Sequence, residues 1–113
     1  SPCEADVVIL GMPSLEQLRK LLAADPGDAF VLYAIAQEHA RLREHESAIS
    51  FYDRAMGVTP DDGYIYFHKA RSLGELGRTH EQARVLKQGI EAAARAGDAK
   101  AAGELRAALE DLE

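Results

Sequence analysis

The tetrad Asp25, Pro26, Gly27, Asp28 returns 34 residues later as Thr59, Pro60, Asp61, Asp62. The same shift lays Leu32 on Tyr66, Tyr33 on Phe67, Ala36 on Ala70, Leu42 on Leu76, Tyr52 on Leu86 and Met56 on Ile90. Run backwards, it lays Leu15 on Ile49, Leu18 on Tyr52 and Leu22 on Met56. A fixed period of this length marks stacked supersecondary units, each unable to bury its apolar face alone. Two full copies and a half copy are therefore expected to share one continuous core.

Each copy reads as two helices. In 29–43 the apolar residues Phe30, Leu32, Tyr33, Ile35, Ala36, Ala40 and Leu42 form a stripe too broad for one buried face, as suits a helix packed on two sides. In 46–58, Ala48, Ile49, Tyr52, Ala55 and Met56 recur at helical steps, and Ser50, Asp53 and Arg54 take the opposite face. Pro60 stops that helix, because proline lacks the backbone N–H and restricts the residue before it. Gly77 reads as a helix end, and Thr79 to Gln82 has the form of a capping box.

The residues Leu32, Ile35, Ala36, His39, Ala48, Tyr52, Ala55 and Pro60, matched in the second copy by Tyr66, Lys69, Ala70, Leu73, Leu86 and Gly89, resemble the tetratricopeptide repeat, a 34-residue helix–turn–helix unit. Three positions depart from that pattern: His39 stands for the usual tyrosine, Lys69 for a leucine, and Gln82 for a small residue. A slip of one residue would bring Ala83 to the small position but spoil the Leu86 and Ile90 matches. The resemblance implies an all-α, right-handed solenoid of about six antiparallel helices. Its expected parts are a half-repeat helix over 12–26, repeats over 29–62 and 63–97, and a capping helix over 98–113. Leu15, Leu18, Leu21 and Leu22 should face inward from the first, with Ser14 as its cap. Ala102, Leu105, Leu109 and Leu112 should face inward from the last, with Asp98 as its cap. A leader of unclear origin, 1–11, carries the run Val7 to Leu10 and is expected to pack on the groove or on a neighbouring chain.

Several function classes fall away. A formal charge of −6 opposes general nucleic-acid binding, which needs a basic surface. The run Val7 to Leu10 is too short to span a membrane or to serve as a signal-peptide core, so neither a membrane partner nor an exported location is expected, and the expected compartment is the cytoplasm. Cys3 is the only cysteine and sits in the leader without a histidine beside it. No His-x₃-His pair and no Glu-x-x-His helical motif occurs, and no glycine-rich phosphate loop or nucleophile elbow is present. No metal, no cofactor and no enzyme activity is expected.

Aromatic placement points instead to binding. Five of the seven aromatic residues fall on the first helices of the repeats, and Phe30 with Tyr64, like Tyr33 with Phe67, are one period apart. The family resemblance implies that those helices line a concave groove. Neighbouring positions on a helix differ by about 100°. Leu32, Ala36, Tyr66 and Ala70 should accordingly be buried while Tyr33 and Phe67 reach the groove. The expected function is a protein–protein interaction scaffold that takes a partner peptide or helix onto Phe30, Tyr33, Gln37, Arg41, Tyr64, Phe67, His68 and Arg71. The competing expectation is structural self-association, a homo-oligomer joined through the repeats and the apolar leader.

Overall fold

The computed structural model describes residues 13–113. The leader, with Cys3 and the run Val7 to Leu10, lies outside the described residues. Within them are six α-helices and no strand: α1 Leu15–Ala24, α2 Ala29–Arg41, α3 His45–Val58, α4 Gly63–Glu75, α5 Thr79–Ala96 and α6 Ala99–Glu110. Each packs on the next in chain order, and α2 also touches α4, as α4 touches α6. The result is a stack of helix pairs in which the first helices lie side by side.

The caps follow from local sequence. Ser14 Oγ accepts a bond from Gln17 N at 3.2 Å while Ser14 N donates to Gln17 Oε1 at 2.8 Å, a complete capping box. Asp28, Asp62 and Asp98 cap α2, α4 and α6 by accepting from Val31 N, Tyr64 N and Ala101 N. The capping box expected at Thr79 to Gln82 does not form. The turn after α4 is so short that Arg78 already holds the cap position and Thr79 is the first helical residue. Arg78 forks onto Glu81 instead, with Nε–Oε1 3.0 Å and Nη2–Oε2 2.7 Å.

That short turn is built twice. Gly77 N donates to Gly74 O and Arg78 N to Leu73 O, with Gly77 at φ 75°. One period earlier Arg43 N donates to Ala40 O and Glu44 N to His39 O, with Arg43 at φ 63°. An arginine thus holds a left-handed conformation that normally favours glycine.

The core is one run of apolar contacts in three overlapping layers. Leu18, Val31 and Ile35 form the first; Leu32, Ala36, Ala48, Tyr52, Ala55 and Ile65 the second. The third, gathered by α4, α5 and α6, centres on Tyr66, Leu73, Val85, Leu86 and Leu105. Full burial of a leucine-sized side chain is worth about 1.5–3 kcal/mol. Leu21 departs from the inward stripe expected of α1 and is 54% exposed. Among the described helices α1 packs only on α2, so Leu15, Leu18 and Leu22 suffice and Leu21 falls to one side.

Each departure from the repeat pattern has a structural partner. His39 is buried and its ring stacks on Phe51 at 5.5 Å. Lys69 extends its ammonium to Asp53 at 2.6 Å on α3. Gln82 lies over Gly74, where a Cβ would come within 2.7 Å of Gln82 Nε2. Leu86 is buried, whereas Ala83 is half-exposed.

Gly89 marks a close approach between helices: a Cβ there would meet Tyr66 Cβ at 2.7 Å and Leu105 Cδ2 at 2.8 Å. Gly103, also helical, has nothing within 4 Å. Gly89→Ala should cost about 1–3 kcal/mol by overpacking. Gly103→Ala should stabilise by about 0.5–1 kcal/mol through helix propensity alone. Urea midpoints of the two variants, moving in opposite directions, check this.

Candidate functional site

Asp28 and Asp62 start α2 and α4 at equivalent points of the two repeats, and Tyr33 on α2 meets His68 on α4 across the cleft between them. Leu32 and Ala36 on α2, with Tyr66 and Ala70 on α4, turn into the core, all at or below 8% exposure. Tyr33 and Phe67, one position further on in each copy, are only half-buried. The one-residue rotation expected from helix geometry is therefore observed.

The N-terminal halves of the two helices enclose an apolar cavity of about 430 Å³. Phe30, Tyr33, Tyr64 and His68 line it, with Ala29, Thr59, Asp62 and Ile65 completing the wall. Phe30 stands largely exposed at 79%. The C-terminal halves enclose a second cavity of about 290 Å³, whose lining includes Gln37, Arg41, His68 and Arg71. Seven of the eight sequence-predicted residues thus line one cavity or the other, and His68 lines both. Phe67 lines neither. It packs against the core layer of α5 and α6 and meets His68 edge-on at 5.4 Å.

His68 is the hub. Its ring stands edge-on to Tyr33 at 5.6 Å and stacks on Tyr52 at 6.4 Å, while Tyr33 and Tyr52 meet edge-on at 5.9 Å. Such ring pairs add stability beyond the area they bury. Burial pushes the His68 imidazole below its ordinary 6.5, and the Arg71 guanidinium pushes the same way, against a smaller opposing pull from Asp62. Burial, and then the Asp62 carboxylate, push the Tyr33 phenol up to about 12. Burial also raises Tyr52. At neutral pH these three rings are uncharged, and Tyr33 accepts a bond from Gln37 Nε2 at 3.2 Å.

The second cavity is basic. Arg41 sits on the buried carboxylate of Glu38, its Nε 3.0 Å from Oε1 and 3.2 Å from Oε2, and its terminal nitrogen also bonds Oε1. Arg43, the residue with positive φ, reaches Glu75 at 3.3 Å. Arg71 has no carboxylate within 4 Å among the described residues. His45 also lines this cavity; its Nδ1 lies 3.1 Å from Ser72 Oγ, and its buried Nε2 has no hydrogen-bond partner among the described residues. Sequence reading missed Arg43, His45, Ser72 and Glu75. The signal for Arg43 was its place one period before Gly77, at a turn whose geometry the sequence did not declare.

Among the described residues no three His, Cys, Asp or Glu side chains gather as a metal-binding group, and no helix is long and apolar enough to cross a membrane. The cleft offers neutral aromatic surface at one end and guanidinium groups at the other.

Paired helices repeated at 34 residues, with first helices aligned along a cleft, define an α-solenoid of helix–turn–helix units. A sequence model of the tetratricopeptide repeat matches residues 31–62. The chain is 32% identical to a tetratricopeptide repeat domain protein from Salinibacter ruber solved by NMR, over 79% of this chain and 90% of that one, with a TM-score of 0.73. The chain belongs to the tetratricopeptide repeat family. The same fold appears in the crystal structure of PcrH in complex with the chaperone binding region of PopD, at 19% identity, covering 87% of this chain and 74% of that one, with a TM-score of 0.81. It appears again in the Yersinia enterocolitica type III secretion translocator chaperone SycD, at 17% identity, covering 87% and 68%, with a TM-score of 0.79. None of the curated proteins matches the chain.

A histidine whose folded pKa is depressed binds protons more weakly folded than unfolded, so its contribution to stability is complete above the unfolded value and is lost as pH falls through the folded one. The His68 imidazole resonance should titrate with a midpoint below 6.5. In the His68→Gln variant, the drop in unfolding midpoint on acidification below that pH should shrink. Proton NMR and pH-dependent melting read the two effects.

Proposed function

We propose that the cleft between α2 and α4 captures a segment of a partner protein. The observation that carries this reading is the juxtaposition of an apolar cavity and a basic one on the same pair of helices, joined by His68. Phe30, Tyr33 and Tyr64 offer rigid aromatic area at small rotamer cost, and Gln37, Arg41, His68 and Arg71 orient the bound chain. Phe67 adds the equivalent position one repeat further on. The likeness to PcrH supports the reading, since that protein was crystallised with a segment of another protein, PopD. This is a scaffold role, and no catalytic step is assigned to it.

Phe30 and Arg71 are the cleanest probes because both are exposed and neither fills the core. Tyr33 and Phe67 pack against core layers, so truncating them mixes lost binding with lost stability. A photo-crosslinking residue at position 30 or 71 should trap a partner from native lysate, and one at the exposed Ser50 on α3 should not. Phe30→Ala with Arg71→Ala should lower capture at least tenfold, about 1.4 kcal/mol, with an unchanged melting midpoint. Equal trapping from positions 30 and 50, or full capture by the double variant, overturns the assignment. Self-association makes a different prediction: the trapped species would be a second copy, lost when residues 1–11 are removed.

A further inference from the structure

The cleft is uneven in charge as well as in polarity. In a chain of net charge −6, the C-terminal half of the cleft gathers Arg41, Arg43 and Arg71 around one cavity whose only acidic lining among the described residues is Glu75. Glu38 orients Arg41, and Glu75 lies 3.3 Å from Arg43, leaving Arg71 with no carboxylate within 4 Å among the described residues. Arg43 keeps a positive φ at a place where the second repeat has Gly77. A strained arginine facing a basic cavity is a cost to folding, and such costs concentrate at binding sites.

The spacing of the two cavities can be read along the helices. Tyr33 to Arg41 is eight residues on α2, and Tyr64 to Arg71 is seven on α4, so at 1.5 Å per residue the aromatic and basic ends are about 10–12 Å apart. An extended chain covers that distance in about three residues. From this we propose, resting on the partner-capture reading above, that the cleft selects an extended protein segment with a bulky apolar side chain and an aspartate or glutamate three residues apart. The apolar side chain enters between Phe30, Tyr33 and Tyr64. The carboxylate meets the guanidinium of Arg71, which can bind it through two parallel hydrogen bonds. Arg43 adds a second positive charge, and neutral His68 forms the apolar step between the two ends.

The test is an NMR titration of the ¹⁵N-labelled full chain with a short peptide, acetylated and amidated so that its only charge is one side-chain carboxylate. It carries a leucine and a glutamate separated by two serines, in a glycine–serine background. At millimolar peptide and low salt, amide shifts should appear both near Phe30 and Tyr64 and near Arg43 and Arg71. Replacing the glutamate by glutamine should weaken binding about fivefold. Arg71→Gln should erase that difference, and Arg43→Gly, which suits the backbone, should reduce it. Glutamate and glutamine peptides binding alike, or shifts confined to one end, overturn the proposal. If the leucine still shifts the Phe30 end without any preference for the acid, segment capture stands and the acidic selectivity falls. No shift at either end also sinks the proposal, and trapping from positions 30 and 71 then decides the capture reading separately.

Discussion

Ala36, Ala48 and Ala55 have no exposed surface, and at Gly89 even a methyl group would collide with Cβ of Tyr66. These small side chains set how closely the helices cross, and everything else in the stack depends on that distance. Close approach lets backbone meet backbone, so the larger residues Leu32, Tyr52, Tyr66 and Leu86 fill the spaces above and below the crossings. Because the same crossing recurs after 34 residues, the second pair of helices lands beside the first in a fixed orientation. The alignment of α2 with α4, and hence the cleft, follows from packing on the far side of both helices.

The departures from the repeat pattern show how such a core tolerates change. Gln82 is too large for its position, and the space comes from Gly74 on the facing helix. Lys69 replaces an apolar residue, keeps its stem against the protein and delivers its charge to Asp53. His39 replaces a larger ring and finds both a stacking partner in Phe51 and a polar contact, Glu44 Oε1 3.2 Å from its Nδ1. In each case the compensation lies on a neighbouring element, so a substitution that looks unfavourable along the sequence is satisfied across the fold.

This explains what could be read in the sequence and what could not. The period, the Asp98 cap, the Ser14 cap and the split between Leu32 and Tyr33 are local or periodic, and residue order carries them directly. The capping box at Thr79 failed because the hydrogen-bond pattern of the preceding turn, not the side chains after it, decides where α5 begins. Leu21 failed because a helix at the end of the described stack has one neighbour where an inner helix has two. The aromatic cavity was legible in part, because Phe30 and Tyr64 stand one period apart and both line it, whereas Phe67, the counterpart of Tyr33, does not. Much of the basic cavity was not, since Arg43 and His45 come from a turn and the start of α3, while Ser72 and Glu75 come from the end of α4.

The two cavities also differ in how their chemistry is fixed. At the aromatic end, burial holds His68 neutral and raises Tyr33, so its rings keep the same uncharged state across the neutral range beside the Asp62 carboxylate. At the basic end, arginine stays charged at any accessible pH, and its effect is limited by salt and by the nearest carboxylates. Glu38 is itself buried, so its hold on Arg41 is shielded from solvent, whereas the Arg43–Glu75 contact is exposed on both sides and weak. The guanidinium groups of the cavity are thus graded, from Arg41 anchored by a buried acid, through the loosely tied Arg43, to Arg71. Under the proposed capture, a carboxylate entering the cleft displaces least where the existing pairing is weakest, so its first contact would fall on α4 beside His68. His68 lines both cavities, so a chain captured as proposed at one end would already be aligned along the helices toward the other.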